Sequence, residues 1–323
     1  MPKRLRLVSF RTQRLSVVSH MLLLLAGLFS AGCKSEARVT MTGELSVWFP
    51  LTFTFDGPAS SESATPNPFT DYRLNVTFTS PDQRTYVVPG FYAADGATVE
   101  TSATAGDKWR TRFTPDQPGR WHLKTSFRAG ENIAISLDPK AGDAVSFDGE
   151  SATFEVQPAQ VTAPGFLRKG MLRYVGKRYL QFAGSGEYFL KGGTDSPENL
   201  LAYADFDGTE DVLLDRPANR QIQAEPFLHR YEPHVKDWRE GDPLWQGGKG
   251  KGLFGGLNYL WKKGVKSIYF LTQNINGDGN DVWPWTAHDE RLRFDVSKLA
   301  QWEVIFSQTD RLGILLHVVT SET

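Results

Sequence analysis

The sequence predicts a chain with two folded parts, a β-sandwich followed by a segment in which helices alternate with parallel strands. Short runs rich in Val, Thr, Phe, Tyr and Trp, separated by turn residues, fill residues 40–158. After residue 165 the apolar spacing lengthens, and two helix patterns each end at a glycine shortly before an apolar strand. A chain of 323 residues is long enough for two such domains.

Residues 1–33 predict an export signal. Five basic residues and no acidic residue lie in the first 32 positions, which continue into the apolar run SVVSHMLLLLAGLF. That run is short for a membrane span. Cys33, the single cysteine, follows the small residues SAG and resembles the lipobox cysteine that bacterial lipoproteins acylate, although Ser30 stands where the lipobox usually has Leu. We expect an exported protein, either lipid-anchored in the membrane through Cys33 or located in the periplasm or at the cell surface; an ordinary cleaved signal with an incidental cysteine is the alternative.

Composition excludes several function classes. Without its basic leader the chain is mildly acidic, whereas a nucleic-acid binder needs a basic face. One cysteine permits neither a disulfide within the chain nor a cysteine zinc site. We therefore expect no nucleic-acid partner and no cofactor.

Residues 40–158 predict an immunoglobulin-like β-sandwich without its disulfide. LSVWFPLTFTF, YRLNVTFT, KWRTRF, RWHLKTSF and SATFEV are typical of strands, and turns recur at about the spacing of such domains. The turn PDQPG between RTRF and RWHL predicts a hairpin. The Pro-rich segment QPAQVTAPG is the expected linker to the second part.

In residues 165–323 the pattern predicts strands around EYFLKGG, SIYFLTQNI and ILLHVVTSET. Helices are predicted over GGLNYLWKKG and SKLAQWEVIFSQTDRLG, closed by Gly264 and Gly313. This alternation favours a parallel sheet. GSG between YLQFA and EYFLK predicts a tight hairpin ahead of it.

The layout resembles exported bacterial proteins that carry an immunoglobulin-like domain of unknown function in front of a glycoside-hydrolase-like (β/α)8, or TIM-like, barrel. VWFPLTFTF, VPGFY, WRTRFTPDQPGRWHL and FEVQP carry the first resemblance. The second rests on YFLKGGTDSPENLLAYADFDGT, YEPHVKDWREGDPLW, GLNYLWKKGVKSIYFLTQNINGDGNDVWPW and DVSKLAQWEVIF. The resemblance implies a polysaccharide or oligosaccharide ligand and two catalytic carboxylates.

The second part departs from that family in length. A full barrel takes about 250 residues and eight strands, whereas residues 165–323 predict three. In barrels of this kind the catalytic carboxylates usually follow later strands. We therefore expect an incomplete barrel, truncated and inactive as this chain. A non-catalytic carbohydrate-binding protein of the cell surface is the alternative.

Barrel enzymes place function in the loops after the strands, which indicates substrate-binding candidates but no catalytic pair. Several candidates have a structural alternative: Asp195 precedes the helix-start pattern SPE, NINGDG fits an Asn- and Asp-stabilised turn, and the tryptophans fit core packing under a loop. NINGDGNDVWPW lacks the final Glu of a calcium loop, so no metal is expected there. Indole faces stack on sugars. The candidates are Asp195, Asn274, Asp278, Trp283, Trp285, His317 and Glu322.

Two further patterns predict structure. GKGLFG has the GxGxxG spacing, but it does not follow a strand, which favours a loop that opens a helix over a dinucleotide site. HRYEPHVKDW holds two histidines and two acids, with Pro233 interrupting any helical spacing, so structural hydrogen bonding is favoured over a metal.

Overall fold

The computed structural model describes residues 39–194, 197–212, 228–275 and 279–320, and this part of the chain is mostly β-sheet with few helices. Its strands are β1 Val39–Thr42, β2 Leu51–Ser61, β3 Tyr72–Thr79, β4 Thr85–Pro89, β5 Phe91–Tyr92, β6 Ala105–Phe113, β7 Gly119–Ala129, β8 Asp143–Ala144, β9 Ser151–Val156, β10 Leu172–Arg173, β11 Gln181–Phe182, β12 Gly193–Thr194, β13 Ser267–Leu271 and β14 Leu315–Val319. Its helices are α1 Thr98–Thr101, α2 Gly165–Lys169, α3 Lys251–Lys262 and α4 Val296–Leu312.

Strands β1 to β9 form two antiparallel sheets that face each other. The first has the order β1-β2-β6-β5; the second has the order β4-β3-β7-β8, with β9 also paired to β7. Alternation decides which side chains turn inward: Leu51, Phe53 and Phe55 of β2 are buried, while the residues between them are half-buried. The predicted period-2 strands are therefore confirmed in this region.

Aromatic rings fill the space between the two sheets. Phe53 of the first sheet lies 5.1 Å from Phe78 of the second, and Trp109 lies 4.8 Å from Phe127, measured between ring centroids. Trp109 also donates its indole N–H to the carbonyl of Pro58. Inward rings from the two sheets therefore share one core, and Val296 of α4 also belongs to it.

The hairpin predicted at PDQPG is wrong. Strand β6 pairs with β2 and β5 of the first sheet, whereas β7 pairs with β3, β8 and β9 of the second, so the turn carries the chain from one sheet to the other. The physical reason is the aromatic pair that flanks the turn. Phe113 and Trp121 meet at 5.0 Å in the core, and the turn itself binds the indole N–H of Trp121 through the carbonyl of Gln117.

The GSG hairpin is confirmed, but the strand predicted over EYFLKGG is shifted. Gln181 and Tyr188 pair across the turn, and Phe189 packs against Phe182 at 5.8 Å. This use of EYF leaves only Gly193–Thr194 for β12. The sequence placed this strand too early because Phe189 packs in the hairpin, while Tyr188 and Leu190 are exposed and belong to no parallel strand.

Strands β12, β13 and β14 form a parallel sheet in chain order, as the helix and strand alternation predicted. Helix α3 lies between β12 and β13, and α4 lies between β13 and β14. The side chain of Asp295 accepts a hydrogen bond from the backbone N–H of Lys298 and caps the start of α4. Gly313, with φ of 70°, ends α4 in the left-handed conformation that favours glycine.

Helix α4 docks on the sandwich through its first turn and the residues before it. Glu62 accepts a hydrogen bond from the backbone N–H of Val296 at 2.8 Å. Arg293 donates to the carbonyls of Glu62 and Ala64, and Phe69 packs edge-on against Phe294 at 5.4 Å. The parallel sheet and the sandwich are therefore joined by specific polar and aromatic contacts.

Candidate functional site

The loop between β13 and α4 follows the carboxyl end of the central parallel strand, where barrel enzymes place functional residues. Asn274 lies in this loop and is fully buried. Its backbone exchanges two hydrogen bonds with Val282, and its amide donates to the carbonyl of Asn280. Asn199 donates to the same carbonyl at 2.6 Å. These buried amides favour the Asn-stabilised turn over a ligand contact by Asn274.

Trp283 and Trp285 are buried in the same loop, at 4% and 8% exposure. The guanidinium of Arg291 lies 4.3 Å from the ring centroid of Trp285, and the Nζ of Lys298 lies 5.3 Å from that of Trp283. An indole that stacks on a sugar has to expose a ring face. The burial of both rings therefore favours packing under the loop over a sugar platform.

Lys298 is a buried residue that the sequence analysis missed. Its side chain is 1% exposed, and its Nζ donates to the carbonyls of Trp283 at 3.3 Å and Trp285 at 3.2 Å. Burial lowers the pKa of Lys298, and the carboxylate of Asp295, 3.9 Å away, opposes this shift. The lysine ties the tryptophan loop to α4. Lysine is usually exposed, so its position in the helix pattern gave no signal of this role.

His317 lies within β14 and not at its carboxyl end. Its Nδ1 is 2.9 Å from the Nζ of Lys191, and its ring meets Tyr269 edge-on at 5.2 Å. Thus the structure places Asn274, Trp283 and Trp285 in one loop and His317 on a neighbouring strand. Asp195, Asp278, Glu322 and Cys33 lie outside the described residues, and their predicted roles stay predictions.

The segments GKGLFG and HRYEPHVKDW, for which the sequence predicted structural roles, make structural contacts. GKGLFG opens α3, and the backbone N–H of Gly250 donates to Asp205 at 2.8 Å. A side chain at Gly255 of α3 would meet the carbonyl oxygen of His234 at 1.9 Å. The glycine therefore allows the segment HRYEPHVKDW, which contains His234, to lie close to α3. His234 itself pairs with Asp237 at 3.2 Å. Across the described ranges no group of three or more His, Cys, Asp or Glu residues is arranged to hold a metal ion.

A cavity of about 720 Å³ lies between the edge of the sandwich and α4. The sequence analysis did not predict it, because its walls come from strands and a helix far apart in the chain. Its aromatic lining includes Tyr72, Phe91 and Tyr92 from the sandwich and Phe294 and Phe306 from the second part. A volume of this size falls in the range of small-molecule sites, roughly 300–1,000 Å³.

Three arginines and one glutamate also line the cavity. Arg112 pairs with Glu303 of α4 at 2.9 Å, so this ion pair joins the two walls. Arg110 donates to Thr54 and to the carbonyl of Gly96, and Arg73 donates to the carbonyls of Ser136 and Pro139. Burial lowers the pKa of Arg110, and the like charge of Arg112 adds to that shift. The cavity wall therefore carries more positive than negative charge.

No helix in the described part of the chain has both the length and the apolar content needed to cross a membrane.

Comparison with known proteins finds a family match and similarity to solved structures. Residues 44–128, which span β2 to β6 and nearly all of β7, match a family described as a domain of unknown function, DUF5060. A Bacteroides vulgatus ATCC 8482 protein of solved structure, described as a "putative glycoside hydrolase", matches over 86% of this chain with a TM-score of 0.50 and 17% sequence identity. This chain spans 41% of the length of that protein. No curated protein matches the sequence. At this identity the similarity shows that the chain shares its fold with part of that protein, and it leaves the chemistry open.

Proposed function

We propose that this chain is a glycoside-hydrolase-like protein of polysaccharide metabolism, exported from the cell, and that by itself it binds carbohydrate without hydrolysing it. The observation that carries the proposal is the fold shared with the Bacteroides vulgatus protein across 86% of the chain. The sandwich is assigned to the immunoglobulin-like class and the second part to the start of a (β/α)8 barrel.

Strand order supports the barrel assignment. In a (β/α)8 barrel each strand pairs with the strand that precedes it and the strand that follows it in the chain, with a helix between them. The order β12-β13-β14, all parallel, with α3 and α4 in the two connections, has this pattern. A doubly wound sheet would reverse its strand order at some point.

The absence of hydrolysis is proposed from the resemblance to barrel enzymes, whose catalytic carboxylates usually follow later strands. Hydrolysis through two carboxylates requires both groups at a defined separation.

Retention on insoluble polysaccharides tests the carbohydrate partner. The full chain, without its signal, is incubated with a panel of plant and algal polysaccharides, and a heat-unfolded sample controls for non-specific retention. We expect at least one polysaccharide to retain the folded chain selectively. Retention of the unfolded sample alone, or of neither sample, would contradict the proposal.

A reducing-end assay on the same panel tests the catalytic part of the proposal. We expect no release of reducing ends above the level of the unfolded control. Release that depends on the folded chain would show that the chain is an active hydrolase, and the inactivity proposal would be wrong. Binding without release is the outcome that the proposal expects, and it also fits the alternative of a non-catalytic carbohydrate-binding protein of the cell surface.

Membrane anchoring is proposed from the sequence around Cys33. Expression of the whole chain with radiolabelled palmitate should label the parent protein, and Cys33→Ala should remove the label because no acceptor thiol remains. Ser35→Ala, two residues away, is the matched control and should keep it. Secretion of an unlabelled parent protein would support an ordinary signal peptide instead.

A further inference from the structure

The cavity between the sandwich and α4 combines two features of a ligand site. Its walls are mainly aromatic and apolar, and a few charged groups are placed among them. Phe91 pairs in register with Arg110 across β5 and β6, and the guanidinium of Arg112 lies 5.3 Å from the ring centroid of Phe91. An aromatic ring and two cations are therefore adjacent on one wall.

The charges of this wall are not balanced within the described residues. Arg112 has a carboxylate partner in Glu303. Arg110 and Arg73 make hydrogen bonds to a hydroxyl and to backbone carbonyls, but no carboxylate of the described residues lies within ion-pair distance of either. Burial lowers the pKa of Arg110, the like charge of Arg112 lowers it further, and the more distant carboxylate of Asp95 opposes both. An anion bound beside Arg110 and Arg112 would relieve the repulsion between them.

We propose that this cavity binds a short acidic saccharide, a uronate oligomer whose carboxylate pairs with Arg110 and Arg112 while its sugar ring packs on the aromatic wall. The inference rests on the proposed carbohydrate function and names the class of saccharide. A guanidinium binds a carboxylate through two parallel hydrogen bonds, which gives strength and orientation. An aromatic ring accepts the apolar face of the sugar.

Glu303 competes with such a ligand for Arg112. The pair is about one-third exposed on each side, so water reaches it and the contact is weak in the free protein. The carboxylate of a ligand can replace Glu303 as the ion-pair partner of Arg112. Removal of Glu303 should therefore strengthen binding, whereas removal of Arg112 should weaken it. A purely structural ion pair would lose stability in both variants and would not produce opposite effects on affinity.

Calorimetric titration of the full chain tests the site. The probes are trimers of galacturonate, glucuronate and mannuronate, the methyl ester of each trimer, and octanoate. We expect at least one uronate trimer to bind and its neutral ester to bind at least tenfold more weakly. Arg112→Gln should reduce the affinity for the acid at least tenfold, and Glu303→Gln should raise it severalfold. Arg120→Gln, an exposed arginine of β7 that makes the same charge change, should leave it unaltered.

Each other outcome overturns the inference. Equal binding of acid and ester, or equal effects of Arg112→Gln and Arg120→Gln, would place any saccharide elsewhere. Binding of octanoate in place of every uronate would make the cavity a site for an apolar acid. If no uronate binds while a polysaccharide still retains the chain, this inference fails and the proposed function stands. If neither experiment detects binding, both fail.

Discussion

The sandwich and the parallel segment are stabilised in different ways. In the sandwich, inward rings from two sheets meet each other, and fewer of the described polar side chains are buried. The parallel segment also has an apolar core, but buried polar side chains connect its loops and helices. These polar groups are Asn199, Asp211, Asn258, Ser267, Asn274, Asn280, Asp281, Ser297, Lys298, Gln301, Gln308 and Thr309.

This difference affects how each region responds to change. An aromatic core tolerates small shifts because dispersion contacts are numerous and individually weak. A buried polar group loses its whole hydrogen bond when its partner moves, and an unpaired buried group is costly. The parallel segment should therefore be the less tolerant region.

Separation of the two regions should have the largest effect. Residues 39–160 contain both faces of their core, so we expect this fragment to unfold cooperatively. A fragment of residues 165–323 lacks Glu62, which accepts the hydrogen bond from the backbone N–H of Val296, and Phe69, which packs against Phe294. We expect this fragment to aggregate or to melt without cooperativity. Calorimetry and light scattering on both fragments measure the outcome. A sharp monomeric transition of residues 165–323 would contradict the contrast.

Replacement of the buried lysine should have the next largest effect. Lys298→Met leaves the carbonyls of Trp283 and Trp285 without their donor, and a methionine cannot supply one. We expect the free energy of unfolding to fall by about 3 kcal/mol. Lys262→Met, at the exposed end of α3, is the matched control and should change it by less than about 0.5 kcal/mol. Similar denaturant midpoints for the two variants would show that the ammonium group is not structurally important.

The contrast also explains which features could be predicted from the sequence. Periodicity located β2, β3, β6, β7, β13, β14 and both long helices, because burial of one face imposes a repeat on the residues. The glycines at positions 264 and 313 marked helix ends because each adopts a positive φ there. Such features depend on residues that are close together in the sequence, so the sequence pattern reveals them.

Features that depend on distant residues could not be predicted in this way. The PDQPG turn has the residue types of a hairpin turn, yet the rings of Phe113 and Trp121 direct the strands on either side of it into opposite sheets. The cavity joins β5 and β6 to α4, which lie nearly 200 residues apart, so no local pattern indicates it. Of the candidate residues, Trp283 and Trp285 are recognisable as notable, but only burial separates packing from sugar contact.

Glu62 lies where the two regions meet, and its titration should make their junction pH-dependent. Burial raises the pKa of Glu62 to about 7 from the ordinary value of 4.5, against the opposing hydrogen bond from Val296. The folded state therefore holds the proton more tightly than the unfolded state. The stability this provides is complete below pH 4.5 and is lost as the pH rises to about 7. We expect a loss of about 1–2 kcal/mol over this pH range.

Glu62→Gln tests this pH dependence, because an amide accepts the hydrogen bond of Val296 without carrying charge. Chemical denaturation at pH 5 and pH 8 should show the variant gaining about 1–2 kcal/mol on the parent between the two values. Glu155→Gln, on an exposed part of β9, should follow the parent at both pH values. If the stability of Glu62→Gln and of the parent changed equally between pH 5 and pH 8, Glu62 would not titrate in this range.

The smallest predicted effect compares two glycines of the parallel segment. Gly279 has φ of 77° and Gly264 has φ of 83°, so alanine is strained by about 1 kcal/mol at either position. At Gly264 a new methyl group meets open space, whereas at Gly279 it would meet the Oδ1 of Asn199 at 2.3 Å. Gly279→Ala should therefore cost about 1 kcal/mol more than Gly264→Ala in the free energy of unfolding. Because backbone strain is matched, the difference measures how firmly Asn199 is fixed by its bond to Asn280. Equal costs would mean that the amide moves freely aside, and the buried polar network would then be less rigid than the comparison with the sandwich requires.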